Sequence, residues 1–183
     1  ANFYGNEEWE AIYGVSGAGR AFSYDGFYLR HIYTGLAEEI DKPRHVVFFQ
    51  HHLGLGYKAG NLSMSVLGEP ENFSGELGAS SWDVGDPVTG LVRMNGSTLG
   101  IACKDSINSL TGSSLDDFSV RCINPYEGAI EYTVTDIGKP IYCSYKGISL
   151  FEQTAAYGDY LGVRLSAAIT SWLVPRLQGR VPP

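Results

Sequence analysis

With 183 residues, 44% of them hydrophobic and 18% charged, the chain can bury the core of one domain and is excluded from the disordered class. A net charge of −7 with no cluster of basic residues excludes the electrostatic footprint of a duplex-binding protein. The longest run free of Asp, Glu, Lys and Arg, His45–Tyr57, spans 13 residues with three His, whereas a membrane-spanning helix needs about 18 or more apolar residues.

Gly is enriched at 23 residues, and 12 Tyr stand against 2 Met, which points to strands joined by tight turns. The start, Ala1–Trp9, carries Glu7 and Glu8 and no basic region of the secretion-signal type. Ala1 in first place is expected from removal of a preceding Met or from a chain that is a piece of a longer one. Asn6–Ile12 reads as a short helix or equally as strand. Gly14–Gly19 has the order G-x-x-G-x-G with strand pattern after it, so it predicts a strand-to-strand turn and not a dinucleotide loop.

Further along, Asp25-Gly26 predicts a turn and Val46–Phe49 a strand. Leu62, Met64 and Val66 alternate with small polar residues. Asn95-Gly96 predicts a hairpin joining Gly90–Met94 to Thr98–Cys103, because a type I′ turn needs positive φ at both central residues. Alternation recurs at Leu99/Ile101/Cys103, at Phe118/Val120/Cys122 and at Ile130/Tyr132/Val134. Each such segment is expected to be a strand with one buried face. Lys146-Gly147 predicts a last turn. Ser166–Leu177 is the best helix candidate, with Ser166 as its cap and Pro175 limiting it to two or three turns.

Ser23–Leu29 is echoed by Ser144–Leu150, which share Ser, Tyr, Gly, an apolar residue after Gly, and Leu at an offset of 121 residues. A third of that offset is close to ~40 residues, the length of one four-stranded propeller blade. With the turns at Tyr57–Gly60 and Met94–Gly96, four hairpins predict an all-β fold: a β-propeller-like array of about four four-stranded blades with little helix. Residues 1–183 are expected to form this single β-rich domain, or a segment of a larger propeller.

Three cysteines, Cys103, Cys122 and Cys143, predict free thiols from a reducing compartment, with Cys103 and Cys122 buried on strands. The adjacent His51 and His52 point to opposite sides of a strand and cannot share a metal, and His31 and His45 read as surface or hydrogen-bonded histidines. Glu69, Glu71, Asp83 and Asp86 could supply paired carboxylates, but they sit beside Pro70 and Pro87, where acids form turns. Ser81–Val88 partly matches the Asp-box turn of sialidases, with Val88 in place of the aromatic and no second copy. The residues predict no catalytic, cofactor or metal site.

The order of several motifs carries a resemblance. It begins with His45–Phe49, Leu53–Tyr57, Gly60–Ser65 and Leu67–Phe73. It continues with Gly85–Leu91, Thr98–Ala102 and Ser106–Gly112, and closes with Gly128–Ile130, Ile141–Cys143, Lys146–Ile148 and Ala156–Asp159. This series resembles the β-propeller-like tail nozzle, tail hub or packaged-DNA stabilisation proteins of short-tailed and related bacteriophages, over about Gly14–Leu173. Glu69 departs from the Asp common there, Pro87 follows Asp86, and members of that family are usually much longer.

The resemblance implies a structural virion protein, made in the host bacterial cytoplasm and located in the tail, with no enzyme activity and no cofactor. Its partners would be copies of itself in a homo-oligomeric ring, the portal and adaptor, and tailspikes or fibres, with DNA passing nearby without specific binding. The loops around Pro70–Gly78 and Asn124–Gly128 are the expected ring interface, with Phe73 and Tyr126 as anchors. A rival reading is a glycan-binding or glycan-hydrolysing propeller module, for which an exposed Tyr/Trp cluster in a concave site would be the marker.

Overall fold

The structure is a computed structural model that describes residues 10–94, 96–114, 117–151 and 164–179. Trp9, Asn95 and the Ala156–Asp159 motif lie outside the described residues. Within these limits the chain is mostly β, arranged as four antiparallel sheets in which sequence neighbours are also spatial neighbours. Sheet 1 holds β1 (Ile12–Gly14), β2 (Phe22–Tyr24) and β3 (Leu29–His31). Sheet 2 holds β4 (Pro43–Phe49), β5 (His52–Tyr57), β6 (Asn61–Met64) and β7 (Ser80–Asp83). Sheet 3 holds β8 (Val88–Arg93), β9 (Thr98–Cys103), β10 (Ile107–Thr111) and β11 (Ser119–Asn124). Sheet 4 holds β12 (Thr135–Asp136), β13 (Pro140–Ser144) and β14 (Gly147–Leu150). The expected number of sheets is therefore met, but two of them have three strands instead of four.

Three apolar layers join the sheets in chain order. Tyr13 and Ile32 pack on Leu53, Leu55 and Tyr57 between sheets 1 and 2. Val47, Phe49, Leu62 and Met64 meet Val88, Leu99, Ile101 and Leu110 between sheets 2 and 3. Val92, Ala102 and Ile107 meet Tyr142 and Phe151 between sheets 3 and 4. β4 serves two layers, since Val46 and Phe48 point to one side and Val47 and Phe49 to the other.

This stacking corrects the expectation of one buried face per strand. All six residues of β5 are buried, and β9 is buried from Leu99 to Cys103. Both strands place glycines on the second face. A Cβ at Gly56 would lie 2.8 Å from Val88 Cγ1, and one at Gly100 2.9 Å from the Phe151 ring. The alternating Gly thus marks close approach of the next sheet and not a solvent face.

Three further segments differ from the sequence reading. Ile130–Val134 is not a strand: Tyr132 has φ of 64°, and Thr133 Oγ1 donates to Ile130 O at 2.6 Å. That turn brings Val134 against the bare backbone of Gly90. Cys122 is exposed, because β11 is an edge strand and a bulge opposite Ile107/Asn108 breaks its alternation. The helical region begins with a 3-10 turn at Ala167–Ile169, followed by α1 (Thr170–Gln178). Ser166 makes no side-chain cap; its Oγ instead accepts the Ile148 N–H at 2.9 Å, and Pro175 lies inside α1. No described helix is long and apolar enough to cross a membrane.

The turns expected at Asp25-Gly26 and Tyr57–Gly60 are found. Asp25 Oδ1 accepts the N–H groups of Phe27 and Tyr28 in the β2–β3 connection. Gly96, with φ of 68°, lies between β8 and β9. The β13–β14 loop is Tyr145-Lys146, one position before the expected pair, because Ser144 pairs with Gly147. The β4–β5 turn at Gln50-His51 carries no turn signal in its residue types, yet both non-glycine residues hold positive φ, 47° and 59°.

Candidate functional site

Phe73 and Tyr126 lie in different environments. Phe73 follows a loop closed by the Val66 N–H to Asn72 O bond at 2.8 Å and by Asn72 Nδ2 donating to Glu69 Oε2 at 2.7 Å. Its ring is half-buried against the layer between sheets 1 and 2. Tyr126, 82% exposed, stands on the connection from sheet 3 to sheet 4, with its N–H held by Asn124 Oδ1 at 2.9 Å. On either side of it Asn124 and Glu127 are buried. The structure does not bring the two aromatics into one site.

Phe73 does line an open cleft of about 530 Å³ with Tyr33, Thr34, Glu69, Glu71 and Asn72. Tyr33 carries the Arg20 guanidinium over its ring at 4.6 Å. Glu71 accepts Ser23 Oγ at 2.6 Å, and burial together with the Glu71 charge pushes the neighbouring Tyr13 hydroxyl up to about 12. A second hollow of about 420 Å³ lies at the Gln50-His51 turn, lined also by Phe48, Arg93, Met94 and Gly96.

The carboxylates considered for paired chemistry are each engaged in shaping the chain. Asp83 Oδ1 accepts the Gly85 N–H at 2.8 Å, and Asp86 Oδ2 accepts the Asp105 N–H at 2.6 Å. The partial Asp-box therefore forms the crossing from sheet 2 to sheet 3. Among the described residues no group of three or more His, Cys, Asp or Glu is placed to hold a metal ion. His51 lies in the β4–β5 turn and is exposed, whereas His52 is buried on β5. His52 Nδ1 donates to Ser65 O at 2.6 Å, and burial holds its pKa below the usual histidine value.

Sequence reasoning missed two ionic clusters that tie sheets together. Arg44, at the start of β4, donates to Glu131 Oε1 at 2.8 Å, across to the connection that leads into sheet 4. His45 lies beside them, its ring 5.3 Å from Tyr132, with its pKa lowered chiefly by burial and partly restored by Glu131. Glu127 receives Arg164 Nη2 at 3.1 Å and the hydroxyl of Ser144, with Lys146 Nζ at 3.8 Å. No local motif announces either cluster, because each partner is far away in the chain. The only sequence signal is a single acid, Glu127 or Glu131, on either side of the small apolar run Gly128–Ile130.

Compared with known proteins, the chain matches no family model, and no curated protein is similar to it.

Proposed function

We propose that this chain is a structural component of a bacteriophage tail, a propeller-like segment of the nozzle or hub ring below the portal. The observation that carries the reading is the succession of four antiparallel meanders stacked in chain order, on a sequence whose motif order resembles that family. The first strands β4, β8 and β12 of successive sheets neighbour one another, as the inner strands of propeller blades do. The net charge of −7 supports a passive role beside DNA, since an acidic wall repels phosphates and lets the duplex slide. The test is imaging of the particle that contains this chain. Density for it around the axial channel supports the proposal, and density in a spike tip or fibre overturns it.

A second reading rests on the cleft at Tyr33 and Phe73. Aromatic rings beside carboxylates and an amide are the side chains that bind sugars, by stacking and by hydrogen bonds to hydroxyls. A glycan array decides it: retention of a sugar that is lost on Tyr33→Ala favours glycan binding, and no retention removes it.

A further inference from the structure

The cleft at Tyr33 and Phe73 carries two carboxylates that meet only neutral donors. Glu71 Oε1 accepts the Ser23 hydroxyl at 2.6 Å, and Glu69 Oε2 accepts Asn72 Nδ2 at 2.7 Å. Among the described residues neither acid has an ion-pair partner, and the second oxygen of each is left for a ligand. The cations nearby are committed elsewhere. Arg20, stacked on Tyr33, lies 3.5 Å from Asp41 and 3.8 Å from Glu38, and Arg30 lies 3.0 Å from Asp25. The loop that carries the two acids is pinned. The Val66 N–H donates to Asn72 O at 2.8 Å, the Glu69 N–H to Val66 O at 3.1 Å, and the Ser74 N–H to Asn72 Oδ1 at 3.0 Å. Both carboxylates are therefore held in place before a ligand arrives, which lowers the ordering cost of binding. Tyr33, 65% exposed, and Phe73 line the same space of about 530 Å³, the size of a small-molecule site.

We propose that this cleft binds an organic cation bearing primary ammonium groups, carried by a free polyamine or by an amino sugar. The carboxylates accept the ammonium N–H groups in charge-assisted hydrogen bonds. Aromatic faces attract the same charge and cover the carbons beside it, and Tyr33 already holds the Arg20 guanidinium in this way at 4.6 Å. A metal ion is the other counterion that two acids would take. Among the described residues no third His, Cys, Asp or Glu joins them to hold one, and aromatic walls offer a metal no ligand. Anionic ligands, acidic sugars among them, are rejected by the same two charges. The inference rests on the second reading above in treating the cleft as a ligand site, and it narrows the ligand from sugars in general to amines.

Isothermal titration calorimetry of the full chain tests it with spermidine, with the tetramer of glucosamine and with the N-acetylated form of that tetramer, which lacks the amine charge. Spermidine or the glucosamine tetramer is expected to bind at one site per chain, and the N-acetylated tetramer at least about tenfold more weakly than its amine counterpart. Glu69→Gln with Glu71→Gln keeps size and a hydrogen-bond acceptor and removes the charge, and should weaken amine binding by about tenfold or more. Tyr33→Leu should weaken it as well, which separates this site from diffuse attraction to an acidic chain. Spermidine bound with neither tetramer bound supports the free amine and removes the sugar reading. The glucosamine tetramer bound in preference to its N-acetylated form supports the amino sugar and both readings. Equal affinity for the two tetramers overturns the inference and leaves the sugar reading standing. Binding of no probe overturns it, as does amine binding indifferent to all three substitutions.

Discussion

Glu127 and Arg164, 37 positions apart, form an ion pair at 3.1 Å with both side chains buried. Arg164 also donates to Lys146 O at 3.1 Å and bridges its backbone to Ser149, so the pair fastens the C-terminal segment to the edge of sheet 4. Removing Arg164 takes away the closer of two cations at the buried Glu127 carboxylate and leaves Lys146 at 3.8 Å, a loss at the lower end of the about 3–5 kcal/mol that breaking a buried pair costs. Arg164→Ala is therefore expected to lower stability by about that amount. A double variant, Glu127→Leu with Arg164→Leu, should lose less than the sum of Glu127→Leu and Arg164→Leu made singly. Urea denaturation of the four proteins checks it, and strict additivity would show that the pair is not coupled.

The sheet stacking sets a second expectation. A Cβ at Gly90 would lie 2.3 Å from Val134 Cγ2, while one at Gly19 has no heavy atom within 4 Å. Gly90→Ala should thus cost about 1–3 kcal/mol by overpacking. Gly19→Ala, where no positive φ is needed, should be neutral or stabilising by about 0.4–1 kcal/mol. Equal melting temperatures for the two variants would contradict the close approach of β8 to the Val134 segment.

Phe73 and Tyr126 separate by the same kind of measurement. Phe73 packs on the layer between sheets 1 and 2, so Phe73→Ala should destabilise by about 2 kcal/mol. Tyr126 projects into solvent, and Tyr126→Ala should change stability by no more than about 0.5 kcal/mol. A large loss at Tyr126 in the isolated chain would show that its ring has a packing role.

What the sequence made legible follows from range. Turns are local: Asp25 and Gly96 announce themselves because an Asx turn and a positive φ depend on one residue's own chemistry. Strands such as Leu99–Cys103 were visible by alternation, but their second buried face was not. Gly100 and Ala102 read as a weak face unless one knows that Phe151 packs there. The alternation at Ile130–Val134 misled, because Tyr132 turns the chain so that Val134 can reach Gly90. The Gln50-His51 turn was invisible because neither residue is a usual turn signal; the pairing of Phe49 with His52 leaves a two-residue loop that demands positive φ at both. Ionic clusters such as Arg44–Glu131 join residues 87 positions apart, and a distance of that order leaves no trace in spacing.

The thiols should react in a fixed order. Cys122 is exposed, Cys143 is half-buried with its pKa raised by burial, and Cys103 is buried with its thiol pushed up to about 11. Since the thiolate is the reacting form, Cys122 should label first and Cys143 more slowly. Cys103 should label only on unfolding. Mass spectrometry after timed maleimide exposure reads the order, and equal rates for Cys103 and Cys122 would contradict the placement of β9 in the core.

The last expectation is the pH dependence of stability. His45 and His52 are buried, and burial is the largest cause of their lowered pKa values. In the unfolded chain both return to the usual value of 6.5. Protons therefore bind more readily to the unfolded state, and stability rises with pH across the window between the folded and unfolded values. The contribution is complete above 6.5 and is lost progressively as pH falls below it. His52 makes the larger structural demand, because its Nδ1–H is committed to Ser65 O and its ring edge packs on Phe118 at 5.4 Å, so the added proton must go to the buried Nε2. The urea midpoint is expected to fall between about pH 7.5 and about pH 5.5. His52→Gln should lower stability at both ends and flatten that slope. An unchanged slope in this variant, with His45 intact, would assign the pH dependence to His45 beside Glu131 and remove His52 from the argument.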